Sequence, residues 1–171
     1  MLPPATYDYK QDKNKQSLIQ EYENLEFQMF RMSENIKQIA KKWTVLGIDQ
    51  TKEEKWVIIY SSDNGDICKI MAHDCEEPFR GKWAFSIHTQ YKEDHRIHID
   101  DIRGESNRGF GSVCMKFLKE YTKDLNVHTI SGNLSHRDWD HIDRLLHFYK
   151  KHEFTVDIVE SEKKGEIFWH P

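Results

Sequence analysis

A strand, a glycine-containing loop, a helix and a second strand follow one another between residues 96 and 131, and this order constrains the fold more than any other feature. Residues 96–102 alternate polar and apolar side chains as a strand does, and residues 111–121 carry apolar side chains at helical spacing. Residues 127–131 have the β-branched content of another strand. Two strands joined through a helix in one sheet are parallel, with a right-handed crossover. The sequence therefore predicts an α/β (α+β) fold.

The other strand signals lie on both sides of this crossover. Asp63-Asn64-Gly65 is a turn that needs positive φ, which makes its flanks a hairpin. Asp138 is a plausible N-cap for a helix that buries Trp139, Tyr149 and the apolar residues between them. Further strands are predicted at residues 55–60, 67–70, 82–88, 155–159 and 166–169. We expect a mixed, largely antiparallel sheet with one parallel strand-helix-strand crossover.

A heptad stripe precedes the sheet. Apolar residues alternate spacings of four and three between Leu18 and Trp43, at Leu18, Tyr22, Leu25, Met29, Met32, Ile36, Ile39 and Trp43. This predicts a long helical segment over residues 15–46, either one helix or two helices broken near Ser33, after a mobile tail at 1–14. The stripe either packs on its own domain or forms a homodimer seam. The α/β body then spans residues 47–171, and the whole chain 1–171 is one domain, because 171 residues bury one ordinary core.

Charge and cysteine content exclude several function classes. The net charge is −4 and the isoelectric point about 6.2, so general affinity for nucleic acid or an anionic membrane is not expected. No apolar run approaches a membrane span and no signal peptide is evident, which predicts a soluble cytoplasmic protein. The three cysteines lack a Cys-x-x-Cys pair, and the spacing of His88, His95 and His98 does not favour a metal site. We expect no bound metal.

The loop between the central strand and helix has the features of an anion cradle. Gly109 and Gly111 allow the backbone to approach a ligand, and amides at a helix start attract negative charge, here supported by Arg108. A tight turn into the helix is the structural alternative. The absent Lys-Ser/Thr ending argues against a P-loop, and the absent third glycine argues against a Rossmann loop. The chemistry predicted is phosphate or pyrophosphate binding.

Two motifs resemble the GNAT N-acetyltransferase superfamily in a bacterial, single-domain form. They are Asn107-Arg108-Gly109-Phe110-Gly111-Ser112 at the start of the helix, and the later heptapeptide Phe148-Tyr149-Lys150-Lys151-His152-Glu153-Phe154. The resemblance implies an acyl-CoA N-acyltransferase-like fold that takes acetyl-CoA as cosubstrate and acetylates an amine of unidentified structure. It places the pyrophosphate on the glycine loop and the pantetheine arm beside Ile102 and Arg103.

The resemblance also assigns Tyr149 as the catalytic acid. An amine that attacks a thioester must first lose a proton, and the departing thiolate must gain one, which a phenol can supply. The residues alone favour a core tyrosine at this position, and the resemblance favours the catalytic acid. His98, Asp100 and Glu105 are candidates for the base.

Three positions depart from the family pattern and leave a second function open. Ser106 stands where the family usually has Arg or Gln, Ile142 where it has Asn, and Glu153 where it has Gly. The alternative is a GNAT-like binding or regulatory module with lost or weak catalysis.

Overall fold

The computed structural model describes the backbone of residues 5–171 and the side chains of residues 14–171. Three helices, α1 (Ala5–Ala40), α2 (Phe110–Asp124) and α3 (Ile142–Lys151), accompany eight strands. The strands are β1 (Thr44–Gln50), β2 (Trp56–Asp63), β3 (Ile67–Asp74), β4 (Phe85–Lys92), β5 (Arg96–Gly104), β6 (Thr129–Leu134), β7 (Thr155–Val159) and β8 (Lys164–Trp169). Short 3-10 helices lie at His136–His141 and Glu160–Glu162.

All eight strands form one sheet in the order β1-β2-β3-β4-β5-β6-β8-β7. Only β5 and β6 are parallel, and α2 connects them, whereas the other neighbouring pairs are antiparallel. The predicted mixed, largely antiparallel sheet with a parallel strand-helix-strand crossover is confirmed.

The two faces of the sheet bury different clusters. On one face, α2 and α3 cover a core that includes Ile59, Ile87 and Ile97, with Leu118 from α2 and Tyr149 from α3. Alternate strand residues point to the opposite face. There Ile58, Tyr60 and Met71 pack against Ile39 near the end of α1, with Met32, Ile36 and Trp43 around them. The C-terminal part of α1 therefore packs on its own domain, one of the two alternatives predicted.

The N-terminal boundaries differ from the sequence prediction. One unbroken helix runs from Ala5 to Ala40, without an interruption at Ser33, so it includes residues 5–14 of the predicted tail, and residues 1–4 lie outside the described residues. The predicted helical segment 15–46 ends early because β1 begins at Thr44. Amides of Lys42 and Trp43 both donate to the carbonyl of Ile39 (3.1 and 3.0 Å), which closes the turn into this strand. Because β1 pairs with β2 as an outer strand, neighbouring strands decide its conformation.

Candidate functional site

The parallel strands β5 and β6 separate halfway along their length. Their pairing runs from Arg96 opposite Thr129 to Ile99 opposite Gly132, although β5 continues to Gly104 and β6 to Leu134. The other edge of β5 remains paired with β4 as far as Gly104. Within the part of the chain that the structure describes, residues 100–104 thus have one backbone edge without a strand partner. That edge can form hydrogen bonds with an extended ligand.

A β-bulge marks the point of separation. Thr89 of β4 lies opposite Ile99 of β5, and the next residue, His88, lies opposite Asp101, so Asp100 is the extra residue. Bulges bend a strand and are frequent beside active sites. Here the bulge lies directly after the last residue of β5 that pairs with β6.

The free edge of β5 leads to the start of α2. Gly109 occupies the N-cap position with φ of 79° and supplies no side-chain cap to the first turn. A Cβ atom on Gly109 would lie 3.1 Å from the Cβ of Thr51, and one on Gly111 would lie 3.1 Å from Phe85 and 3.2 Å from Phe148. Gly109 therefore permits the positive φ, and both glycines permit close packing. The uncapped amides of a helix start bind anions.

The other predicted cofactor residues lie in the core, on the exposed end of β5, on the loop and in the first turn of α2. Phe110 is 1% exposed and belongs to the core, so only its backbone can meet a ligand. Ile102 packs against the same core, while Arg103 is exposed and bonds Asp101 at 2.7 Å. Asn107 lies on the exposed loop with φ of 65°. Ser112 lies in the first turn of α2.

Arg108, which the sequence predicts to support anion binding, is paired with two carboxylates. Its guanidinium bonds the carboxylates of Asp74 at 2.6 Å and Glu105 at 2.9 Å, and the side chain of Asp74 is nearly buried. The hydrogen bonds that Arg108 donates to Glu105 and Asp74 raise the pKa of its guanidinium. Because two carboxylates already compensate its charge, Arg108 holds the loop against β3 more than it attracts an anion. Glu105, one of the candidate bases from the sequence, is thereby bound to Arg108.

Two lysines that were not predicted as site residues, Lys52 and Lys151, lie at the α2 start. Lys151 donates to the Ser112 hydroxyl at 3.2 Å, and His152 lies 3.1 Å from the same oxygen. The positive charge of the neighbouring Lys52 side chain, followed by burial, lowers the pKa of Lys151. Neither lysine forms an ion pair among residues 14–171. Lys151 belongs to the heptapeptide motif, whereas nothing in the sequence marks Lys52, which the β1–β2 connection brings in.

His152 beside these lysines is held neutral. Burial, followed by the positive charges of Lys119 and Lys151, lowers its pKa to about 4. The imidazole therefore adds a hydrogen-bonding nitrogen, not a charge, at neutral pH.

Tyr149 occupies a buried position on α3. It is 5% exposed, and its ring lies 5.5 Å from that of Phe148 and 5.4 Å from that of Phe154. No side chain among residues 14–171 forms a hydrogen bond with its hydroxyl. Burial, reinforced by the charges of Asp138 and Asp101, raises the pKa of this phenol. The ring is a core residue, as one interpretation predicted, and the hydroxyl keeps the proton that a general acid needs.

Asp138 contributes differently from the N-cap that we predicted. Ser135 precedes the 3-10 helix, and Asp138 accepts hydrogen bonds from the Ser135 amide at 2.7 Å and hydroxyl at 3.1 Å. The helix α3 starts only at Ile142. The predicted capping residue therefore does cap a helix, but it is the 3-10 helix, in which Ser135 is the N-cap and Asp138 is the third residue.

His98 and Asp100 line a cavity of about 440 Å³ beside the strand separation. Ile97 and Ile99 face α2, so His98 between them points to the opposite face of the sheet. Its Nδ1 lies 3.0 Å from the Ser131 hydroxyl. Burial lowers the pKa of His98, partly opposed by Asp100. The imidazole is thus neutral near pH 7 and can accept a proton.

His88 is a further polar residue on this face, opposite Asp101. Its Nε2 atom and the Ser86 hydroxyl are buried without a hydrogen-bond partner in the described structure. Such atoms call for water or a ligand.

Within residues 14–171, no group of three His, Cys, Asp or Glu side chains is arranged to hold a metal ion. No described helix is long and apolar enough to cross a membrane.

Comparison with known proteins places this geometry in a known fold. No protein-family model matches the chain. It is 49% identical over 158 residues to "Uncharacterized protein YocC" of Bacillus subtilis, covering 92% of this chain and 95% of that protein.

Two solved structures resemble the chain at low sequence identity. A cAMP-binding acyltransferase from Mycobacterium smegmatis is 11% identical with a TM-score of 0.57, over 80% of this chain and 51% of that one. The GNAT domain of S. lividans PAT is 6% identical with a TM-score of 0.50, over 64% of each chain. These likenesses confirm the predicted acyl-CoA N-acyltransferase-like (GNAT) fold.

Proposed function

The chain belongs to the family of the Bacillus subtilis protein YocC and has the GNAT fold, and we propose that it transfers an acetyl group from acetyl-CoA to an amine acceptor. The observation that carries the proposal is the continuous path from the separated strands to the uncapped start of α2. A ligand with an extended arm and a pyrophosphate needs both features in this order. The comparisons support the fold, and the site supports the chemistry.

The cosubstrate would lie along the free edge of β5. Backbone groups near Ile102 and Arg103 would pair with the pantetheine arm, because this edge has no other strand partner among the described residues. The amides that follow Gly109 would hold the pyrophosphate, with Lys52 and Lys151 beside them. Arg108 would keep the loop in place through Asp74.

Residues on the two sides of the strand separation would divide the proton transfers. His98, neutral near pH 7, would take a proton from the ammonium of the acceptor, directly or through water, with Asp100 beside it. The amine then attacks the acetyl carbonyl carbon, and the carbon–sulfur bond breaks as the carbon–nitrogen bond forms. Tyr149 would donate its phenolic proton to the sulfur. The products are an amide and a free thiol.

A binding or regulatory module remains the second candidate, since Ser106, Ile142 and Glu153 depart from the family pattern. Calorimetry with coenzyme A and an assay of thiol release from acetyl-CoA with a panel of amines test both. We expect coenzyme A binding and amine-dependent thiol release. Binding without release for any amine would favour the module, and the absence of binding to folded protein would contradict both.

We further propose that a second copy of the chain covers the N-terminal half of α1. The stripe between Leu18 and Trp43 divides at Met32: its later residues pack on the sheet, whereas the earlier ones are exposed. The exposed members include Leu18, Tyr22, Leu25 and Met29. A heptad stripe of this kind matches itself, so a homodimer through paired α1 helices would bury it.

The proposal includes a cytoplasmic location. Cys68, Cys75 and Cys114 are all free thiols. Reduced cysteines are the usual state in a reducing compartment.

A further inference from the structure

The cavity beside His98 separates its charges along the strands. Lys92 and Arg96 face each other across the hairpin between β4 and β5, at one end of the cavity. Asp100, at the bulge, lies at the other end, four residues from Arg96, or roughly 13 Å along the strand. Glu166 joins that end, because its partner Asn133 lies just beyond the last β5–β6 pair. The cavity is cationic at the hairpin and anionic at the strand separation.

None of these four charged side chains forms an ion pair among residues 14–171. Lys92 only donates to the side-chain oxygen of Gln90. Neighbouring charges behave differently, since Arg103 pairs with Asp101 at 2.7 Å on the adjoining part of β5. The distance along the strand keeps the two cations and the two carboxylates of the cavity apart.

We propose that the acceptor is a small, flexible amine that carries a carboxylate at its far end. This inference rests on the acetyl transfer proposed above and names its substrate class. Arg96 and Lys92 would bind the carboxylate, for which a guanidinium offers paired donors. Asp100 and Glu166 hold the ammonium end at the strand separation, next to His98. Phe168 contributes an apolar wall for the connecting methylene groups.

The orientation fits the reaction and its proton balance. With the carboxylate held at the hairpin, the amine points to the bulge, where β5 and β6 separate and the thioester would lie. The ammonium loses one proton to His98 and a second proton leaves as the amide forms. Tyr149 returns one proton to the thiolate, so each turnover releases one proton net. A diamine would place a second cation against Arg96 and Lys92, which costs affinity.

Three amines whose nitrogen carries a straight five-carbon chain test the proposal. ε-Aminocaproate has an anionic far end, n-pentylamine a neutral one and cadaverine a cationic one. We expect kcat/KM for thiol release to fall in that order, with about a tenfold advantage for ε-aminocaproate over n-pentylamine, the ratio that one charged hydrogen-bonded contact supports. Arg96→Gln should remove this advantage, so that kcat/KM for ε-aminocaproate falls to about the value for n-pentylamine. Arg144→Gln is the matched control, an exposed arginine on α3 across the sheet.

The outcomes separate this inference from the acetyl transfer beneath it. Equal rates for the three amines, or a preference for cadaverine, would overturn the substrate class while leaving acetyl transfer intact. If coenzyme A binds but no amine releases thiol, calorimetry of ε-aminocaproate with the loaded protein decides. Binding that Arg96→Gln abolishes supports the cavity assignment, and no binding overturns it. Failure of coenzyme A itself to bind would remove both proposals.

Discussion

The two faces of the sheet are built in opposite ways. Helices α2 and α3 cover one face, and their packing buries Phe110 and Tyr149, while the backbone amides after Gly109 have no side-chain cap. The other face is covered by the end of α1 over β1, β2 and β3, which leaves a polar cavity over β5, β6 and β8. On the covered face, backbone and packing define the site. On the open face, side-chain charges define it, so the two faces should respond differently to substitution.

The largest effect is expected from Gly109→Val on the covered face. The residue has φ of 79°, and a Cβ there would lie 3.1 Å from Thr51, so the side chain disrupts the loop where the backbone meets the anion. We expect loss of coenzyme A binding by calorimetry and of the rise in melting temperature that acetyl-CoA gives the native chain.

Gly65→Val is the control for backbone strain. Gly65 has a similar φ of 84° and no atom within 4 Å of its added Cβ. It should lose stability for the same backbone reason yet bind coenzyme A normally. If both variants bound equally well, the α2 start would not be the pyrophosphate site.

Tyr149→Phe should come next, through chemistry alone. The ring packing is kept and the hydroxyl has no hydrogen-bond partner among residues 14–171, so melting temperature and coenzyme A affinity should hardly change. Turnover should fall about a hundredfold if the phenol protonates the thiolate. Tyr121→Phe is the contrasting variant, since Tyr121 bonds Asp63 at 2.6 Å. It should lose stability without losing turnover. The reverse pattern in the two variants would make Tyr149 purely structural.

A smaller effect is expected on the open face from His98→Ala, about tenfold in kcat/KM, because Asp100 in the same cavity can still relay a proton through water. The pKa of His98 is lowered, so the neutral base persists below the ordinary histidine pKa of 6.5. Activity should therefore be full above that value and decline as the pH falls through the lowered pKa. A pH–rate profile whose acidic limb is unchanged in His98→Ala would assign the base elsewhere.

Charge removal at the α2 start sharpens the contrast between Arg108 and the unpaired lysines. Lys52→Gln or Lys151→Gln should weaken coenzyme A binding by about threefold each, because both amines are solvent-screened. Arg108→Gln should instead lower the melting temperature, since it leaves the nearly buried Asp74 without its partner. Titrations at two salt concentrations and thermal melts distinguish the two roles. A stronger affinity loss in Arg108→Gln than in either lysine variant, with no change in melting, would contradict this division.

The smallest effect on the site is expected from Met29→Lys. This side chain is 71% exposed on α1, so the α/β body should keep its melting temperature and coenzyme A affinity. If paired helices bury the stripe, sedimentation should show monomers in place of dimers. Gln20→Lys, outside the stripe, should leave the assembly unchanged. A monomeric native chain would contradict the homodimer.

Local sequence signals were sufficient for the crossover and the glycine loop. Period-two alternation and helical spacing from residue 96 to 131 depend on the chain itself, and they located β5, α2 and β6. The turn at Asp63-Asn64-Gly65 also formed as predicted, with Gly65 at positive φ. Thr44–Gln50 was missed because strands at the margin of a sheet depend on their neighbours.

The side-chain partners in the site could not be predicted from the sequence. The sequence by itself determined that an uncapped helix would start beyond Gly109 and that Tyr149 would lie on the buried face of α3, because spacing and backbone freedom are local properties. Only the tertiary structure decided that Asp74 would neutralise Arg108 and that Lys52 would come to Lys151. It also decided where β5 and β6 separate. These features join residues far apart in the chain, and long-range contacts of this kind leave no periodic trace in a single sequence.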